Sequence, residues 1–141
     1  MASRREQIME ALRVKLATIP GVTTYRSRLT ALTRAEGPAI VVRPALPPGG
    51  EAVVKRNNDL SERELTVLVE VVARGAAADQ IADPYCVSAQ AKVMEDQTLG
   101  GLCLYLREAG TQWHMDDADL DACLVSTAYT IHYRTTATTL N

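Results

Sequence analysis

Arg63-Glu64-Leu65-Thr66-Val67-Leu68-Val69-Glu70-Val71-Val72-Ala73-Arg74 is the most regularly patterned stretch of this chain. Leu65, Val67, Val69, Val71 and Ala73 recur at a two-residue step, the period that sends successive side chains to opposite faces of a sheet. The interleaved set, Thr66, Leu68, Glu70 and Val72, mixes polar with apolar residues. That second face is expected to be partly wet, and apolar side chains left on it point to a subunit contact. A second long alternation follows near the end. Cys123, Val125, Thr127, Tyr129, Ile131 and Tyr133 interleave with Leu124, Ser126, Ala128, Thr130 and His132, which predicts a closing strand.

Working outward, Ser3 and Glu6 form a capping-box pattern at a helix start. Ile8, Leu12 and Leu16, flanked by Met9 and Ile19, make an apolar stripe over about residues 3–18 that Pro20 and Gly21 stop. Arg26, Arg28 and Arg34 fall in a weakly periodic segment read as a short strand and loop. Residues 39–42 are a brief strand, and Pro44, Pro47, Pro48, Gly49 and Gly50 mark a mobile loop over about 44–50. Residues 52–55 predict another strand, closed by an Asn57-Asn58-Asp59 turn.

Asp83 before Pro84 is read as a helix cap and first residue, with Val87, Ala91 and Met94 on one face and an end near Asp96. The sequence Thr98-Leu99-Gly100-Gly101 terminates it. Leu102, Leu104 and Leu106 predict a strand, and Trp113 a second segment beyond a turn at Gly110. The last residues, 136–141, are expected to fray. Consecutive strands without intervening helices favour an α+β fold, a mostly antiparallel sheet packed against two main helices, over a doubly wound parallel one.

The chain has 141 residues, which suits one domain, 1–141, with one core. With 47% hydrophobic and 23% charged residues it composes like a globular protein. Five Tyr, one Trp and no Phe leave few platforms for stacking nucleic-acid bases. The net charge of −2 conceals a division: residues 1–70 carry 11 Lys/Arg against 8 Asp/Glu, while residues 71–141 carry 4 against 9. For an isolated monomer this division reads as chance segregation on a solvated surface; the sharper reading is a basic patch on one copy meeting an acidic patch on the next, as head-to-tail rings require. The basic residues Arg26, Arg28, Arg34, Lys55 and Arg56 lack interleaved aromatics, so no sequence-specific nucleic-acid partner is expected.

Cys86, Cys103 and Cys123 are an odd number without a CxxC pair, which speaks against a disulfide framework or zinc ribbon. Residues 1–15 are too interrupted by charge for a secretion signal, and residues 65–73 are too short to cross a bilayer. No membrane partner and a cytoplasmic origin are therefore expected. Asp117, Asp119 and Asp121 open like a calcium loop, but Ala122 stands where Gly is needed and Ala128 where a bidentate Glu would ligate. A solvated acidic loop comprising Asp116, Asp117 and Asp119 is the expectation, and the alternative is a small metal-dependent hydrolase centred on Asp117, Asp119 and Asp121. His114 and His132 have no nucleophile in a recognisable motif. No catalytic, cofactor-binding or metal residues are expected.

The run Asp83-Pro84, the helix ending at Met94, Thr98-Leu99-Gly100-Gly101-Leu102, then Trp113, Asp117-Ala118-Asp119 and Tyr129-Thr130-Ile131-His132-Tyr133-Arg134-Thr135 resembles the tail terminator proteins of long-tailed bacteriophages. These are also called tail completion proteins and include the minor tail protein U group. The likeness covers about residues 62–135. It implies a non-enzymatic virion subunit, without cofactor, that closes into a homohexameric ring on the head-proximal end of the tail. Its partners would be further copies of itself, the tail tube protein and the head-completion or neck protein. Gly100, Gly101, Trp113, Asp119, Tyr133 and Arg134 would be fold or interface positions. A neck or head-completion connector subunit is the neighbouring alternative.

Overall fold

The computed structural model describes residues 2–27, 37–46, 49–115 and 121–141. Its elements run α1 (Arg4–Leu16), β1 (Thr23–Arg26), β2 (Ala39–Pro44), β3 (Glu51–Arg56), β4 (Leu60–Arg74), α2 (Ala78–Met94), β5 (Tyr105–Met115) and β6 (Ala122–Thr136). The two alternating stretches become the two longest strands, β4 and β6, and pair antiparallel from Leu60 opposite Thr136 to Arg74 opposite Ala122. Around them the six-stranded sheet runs β1-β2-β4-β6-β5, with β3 also on β4. Only the β1–β2 pairing is parallel among the described pairs. The expected α+β domain with two helices is what the chain forms.

Register decides which face is core. Leu65, Val67, Val69, Val71 and Ala73 are all buried, and their partners on β6 include Ile131, Tyr129 and Val125. Ile40 and Val42 of β2 extend the same face. Helix α1 contributes Ile8, Met9, Leu12 and Leu16, and Ser3 caps it by accepting from the Glu6 amide. The other half of the capping box is absent: the Glu6 carboxylate pairs with Arg26 at 2.8 Å, because a guanidinium is a stronger partner than the Ser3 amide.

β2 and β3 lie end to end along the same edge of β4. Between them Thr66 binds both described flanks of the Pro/Gly segment, whose Pro47 and Pro48 lie outside the described residues: its carbonyl accepts from Ala45 N and its amide donates to the Gly50 carbonyl. Asn57 builds the expected turn, its Oδ1 accepting from the amides of Asp59 and Leu60.

Helix α2 departs from expectation. It begins at Ala78, so Asp83 and Pro84 lie inside it and are neither cap nor first turn. The connection from β4 is too tight for a later start: Gly75 (φ +131°) and Ala77 (φ +56°) turn the chain within three residues. The φ of +131° at Gly75 is what favours glycine there, since the only nearby atom to an added Cβ, Ile81 Cδ1 at 2.8 Å, is the movable end of an exposed side chain. The inner face is also rotated. Ala78, Ala82, Ala89 and Val93 are buried, while Val87 and Ala91 face outward. Small residues let the helix sit close to the sheet, and this packing overrides the apolar stripe seen in sequence.

Gly110 is no turn. It sits at a register shift within one continuous strand, β5, so Leu106 and Trp113 belong to the same strand. Leu102 and Leu104 precede that strand and lie in the turn that leads to it. Residues 136–141, expected to fray, fold back: Leu140 O accepts from Arg4 N and Asn141 O from Thr136 N, both at 2.8 Å.

Candidate functional site

The side chains picked out from sequence divide by location. Arg28, Arg34, Asp116, Asp117 and Asp119 lie outside the described residues. Arg26 ends β1 and is engaged by Glu6, so it ties β1 to α1. Lys55 and Arg56 sit on β3, which is exposed from Ala52 onward, and neither makes a salt bridge among the described residues. Arg134 donates from Nε and Nη2 to Glu62 Oε1 at 3.0 and 2.7 Å, and these bonds hold the Glu62 carboxyl below its ordinary range.

Gly100 and Gly101 stand in a turn whose backbone takes positive φ at Leu99, Gly100 and Gly101 in succession. Asp96 occupies it: its carboxylate accepts from the Gly100 and Thr98 amides and the Thr98 hydroxyl. Those bonds, the one from Gly100 foremost, lower its carboxyl pKa. The turn is thus filled from within and works as the expected helix stop.

The histidines form no catalytic pair. His114 is exposed near the end of β5, while His132 stacks on Tyr105 with ring centroids 4.5 Å apart and an interplanar angle of 17°. His132 Nε2 lies 3.3 Å from Glu64 Oε2, close enough for an ion pair but outside hydrogen-bond geometry. Among the described residues no three His, Cys, Asp or Glu side chains gather to hold a metal ion. Asp121, the described member of the aspartate series, accepts from Gly75 N through its backbone carbonyl.

Two features not read from sequence organise the surface. The first is the hub at Glu51, where β3 begins. Its Oε1 accepts from Tyr133 OH, and its Oε2 takes Arg5 Nη1 at 2.8 Å and Arg63 Nη1 at 3.3 Å. One carboxylate therefore joins α1, β3, β4 and β6. Burial first, and the bond to Glu51 second, push the Tyr133 phenol upward.

The second is an open cleft of about 450 Å³ between α2 and the outer strand β5. Val87 of α2 and Trp113 of β5 stand at its walls, 63% and 62% exposed. Asp79, Asp83 and Glu108 give it an acidic lining, with Val125 and Thr127 also contributing. Gln90 fixes its inner edge by donating to Glu108 at 2.8 Å and accepting from Tyr129 OH. Cys86 also lines it, with its thiol pushed upward by burial and then by Asp83, so it is held in the protonated, weakly nucleophilic form. Thr111, Trp113 and Met115 alternate with Gln112 and His114, a signal that would have placed Trp113 on the face of β5 toward the cleft.

No helix among the described residues is long and apolar enough to cross a membrane. No protein-family model and no curated protein matches this chain. A solved structure is similar to it at 18% identity and a TM-score of 0.48, over 90% of this chain and 92% of its own.

Proposed function

We propose that this chain is a structural virion protein that forms a ring on the end of a phage tail tube, ends tube growth and offers the surface to which the head connector joins. The phage assignment draws on the motif resemblance over about residues 62–135. The structural observation that carries the ring reading is the two-ended surface. The exposed edge strand β3, bearing Lys55 and Arg56, lies along the first part of β4, and the cleft carrying Asp79 and Asp83 lies toward the last part. Such a subunit makes heterologous contacts, and these close into rings when the rotation allows. The reading takes the chain to be non-enzymatic, assembled in the host cytoplasm, and homohexameric on the tail. Its neighbours would be the tail tube protein on one side and the neck protein on the other.

Electron microscopy of particles assembled with and without this chain tests the proposal. Tails lacking it are expected to overgrow and fail to join heads. Tails of normal length without it would overturn the terminator reading. Immunogold label on detached tails supports a terminator, and label that stays with capsids would assign the chain to the head-completion side.

A further inference from the structure

The β3–β4 hairpin is a short arm with an unusual surface. Val53 and Val54 are 50% and 49% exposed, Leu60 begins β4 exposed, and Lys55 and Arg56 stand beside them. Apolar side chains on an outer strand carry a solvation cost and invite association. The Asn57 turn joins the two strands, and β3 pairs with β4 from Glu51 to Arg56 with a register shift between Val53 and Lys55.

The α2–β5 cleft offers matching chemistry. It exposes Val87 and Trp113 beside Asp79 and Asp83, and neither aspartate makes a salt bridge among the described residues. Lys55 and Arg56 are likewise without one among the described residues, although Lys55 stands across the ladder from Glu62 and helps to hold its carboxyl low. Arm and cleft thus each combine exposed apolar area with charge of opposite sign. They cannot meet within one molecule. Val53 stands opposite Arg63, while the cleft residues Thr127 and Val125 stand opposite Val69 and Val71, six to eight residues further along β4, roughly 20–26 Å at the rise of an extended chain, and β3 and β5 lie on opposite sides of β4. The complement of each surface is therefore on another copy.

We propose that the β3–β4 arm of one copy docks in the α2–β5 cleft of the next, with Val53 and Val54 against Val87 and Trp113, and Lys55 and Arg56 beside Asp79 and Asp83. This rests on the ring reading and supplies its subunit contact. Because the two surfaces differ, the contact is head-to-tail and repeats around a ring.

Cysteine trapping tests the contact even where association in isolation is weak. In the full chain carrying Cys86→Ala, Val54→Cys on one preparation and Val87→Cys on another are mixed and oxidised. A disulfide-linked dimer formed only in the mixture is the expected result. Charge reversal by Lys55→Glu with Arg56→Glu in the arm partner should cut its yield by roughly tenfold or more, and Asp79→Lys with Asp83→Lys in the cleft partner should restore it. If folded variants give no cross-link above the single-variant controls, or if the paired reversal gives no rescue, the docking is wrong. Rings seen by light scattering without the cross-link would leave the ring reading standing and discard this contact. Cross-linked dimers alongside tails of normal length in particles lacking the chain would keep the contact and discard the terminator reading.

Discussion

Replacing Glu51 by Gln tests how the long strands, α1 and the arm are locked together. The carboxylate accepts from Tyr133, Arg5 and Arg63. Side-chain exposure is 13% at Glu51 and 16% at Arg63, against 43% at Arg5, so the Glu51–Arg63 pair is the shielded one. Breaking a buried ion pair by removing one partner costs about 3–5 kcal/mol, and exposed pairs contribute about 0–1 kcal/mol. Glu51 lies nearer the first limit, and its residual exposure brings the expected loss for Glu51→Gln to about 2–3 kcal/mol. At about 2–4 °C per kcal/mol for a domain near this size, Tm should fall by roughly 5–10 °C. Urea unfolding followed by circular dichroism measures the loss, with the slope unchanged if the native fold is kept. Arg5→Ala should cost under about 1 kcal/mol, and Tyr133→Phe about 1–2 kcal/mol because its hydroxyl donates to a charged acceptor. In a double-mutant cycle Glu51→Gln and Tyr133→Phe should couple by more than about 0.5 kcal/mol. A Glu51→Gln variant within about 0.5 kcal/mol of the parent, or an Arg5→Ala variant as damaged as Glu51→Gln, would refute the reasoning.

Three further outcomes are expected. The Cys103 thiol is pushed from 9.0 up to about 11 by burial, and Tyr129 and Tyr133 are raised above 10.0 chiefly by burial. Above these ordinary values the folded chain binds more protons than the unfolded one, so stability is full below about pH 9 and falls as pH rises. Urea midpoints across pH 8 to 11 check this, and Cys103→Ala should make the fall shallower, while Cys86 and Cys123, whose thiols burial also raises from 9.0, keep its onset near pH 9. Gly100→Ala should cost about 1–2 kcal/mol although nothing lies within 4 Å of the added Cβ, since its φ is +70°. Pro84 lacks the amide that would donate to the Gln80 carbonyl inside α2, so Pro84→Ala should raise stability by about 1–2 kcal/mol, read as a higher urea midpoint.

What the sequence determined by itself is the local periodicity. The two-residue step in residues 63–74 and 123–133 fixed the central strand pair and its buried face, because a one-residue slip would turn Leu65, Val67, Val69, Val71 and Ala73 out of the core together. The stripe Ile8, Leu12, Leu16 and the Ser3 cap fixed α1 for the same local reason. The charge division was legible too, though only as arithmetic. Tertiary structure decided what depends on partners far along the chain. Helix α2 starts before Asp83 because the β4 turn and the close seat of Ala82 and Ala89 on the sheet outweigh a local cap signal worth about 1 kcal/mol. Gly110 stays within β5 because β6 pairs on both sides of the shift. Glu51, whose contacts span 46, 12 and 82 residues of sequence, becomes a hub only when the sheet gathers them. Lys55 and Asp83, both visible as charges, are set toward the first and last parts of β4 only by the fold. Periodicity is a property of neighbouring residues, whereas a cleft between α2 and β5, or a carboxylate shared by three distant donors, exists only after the chain has folded.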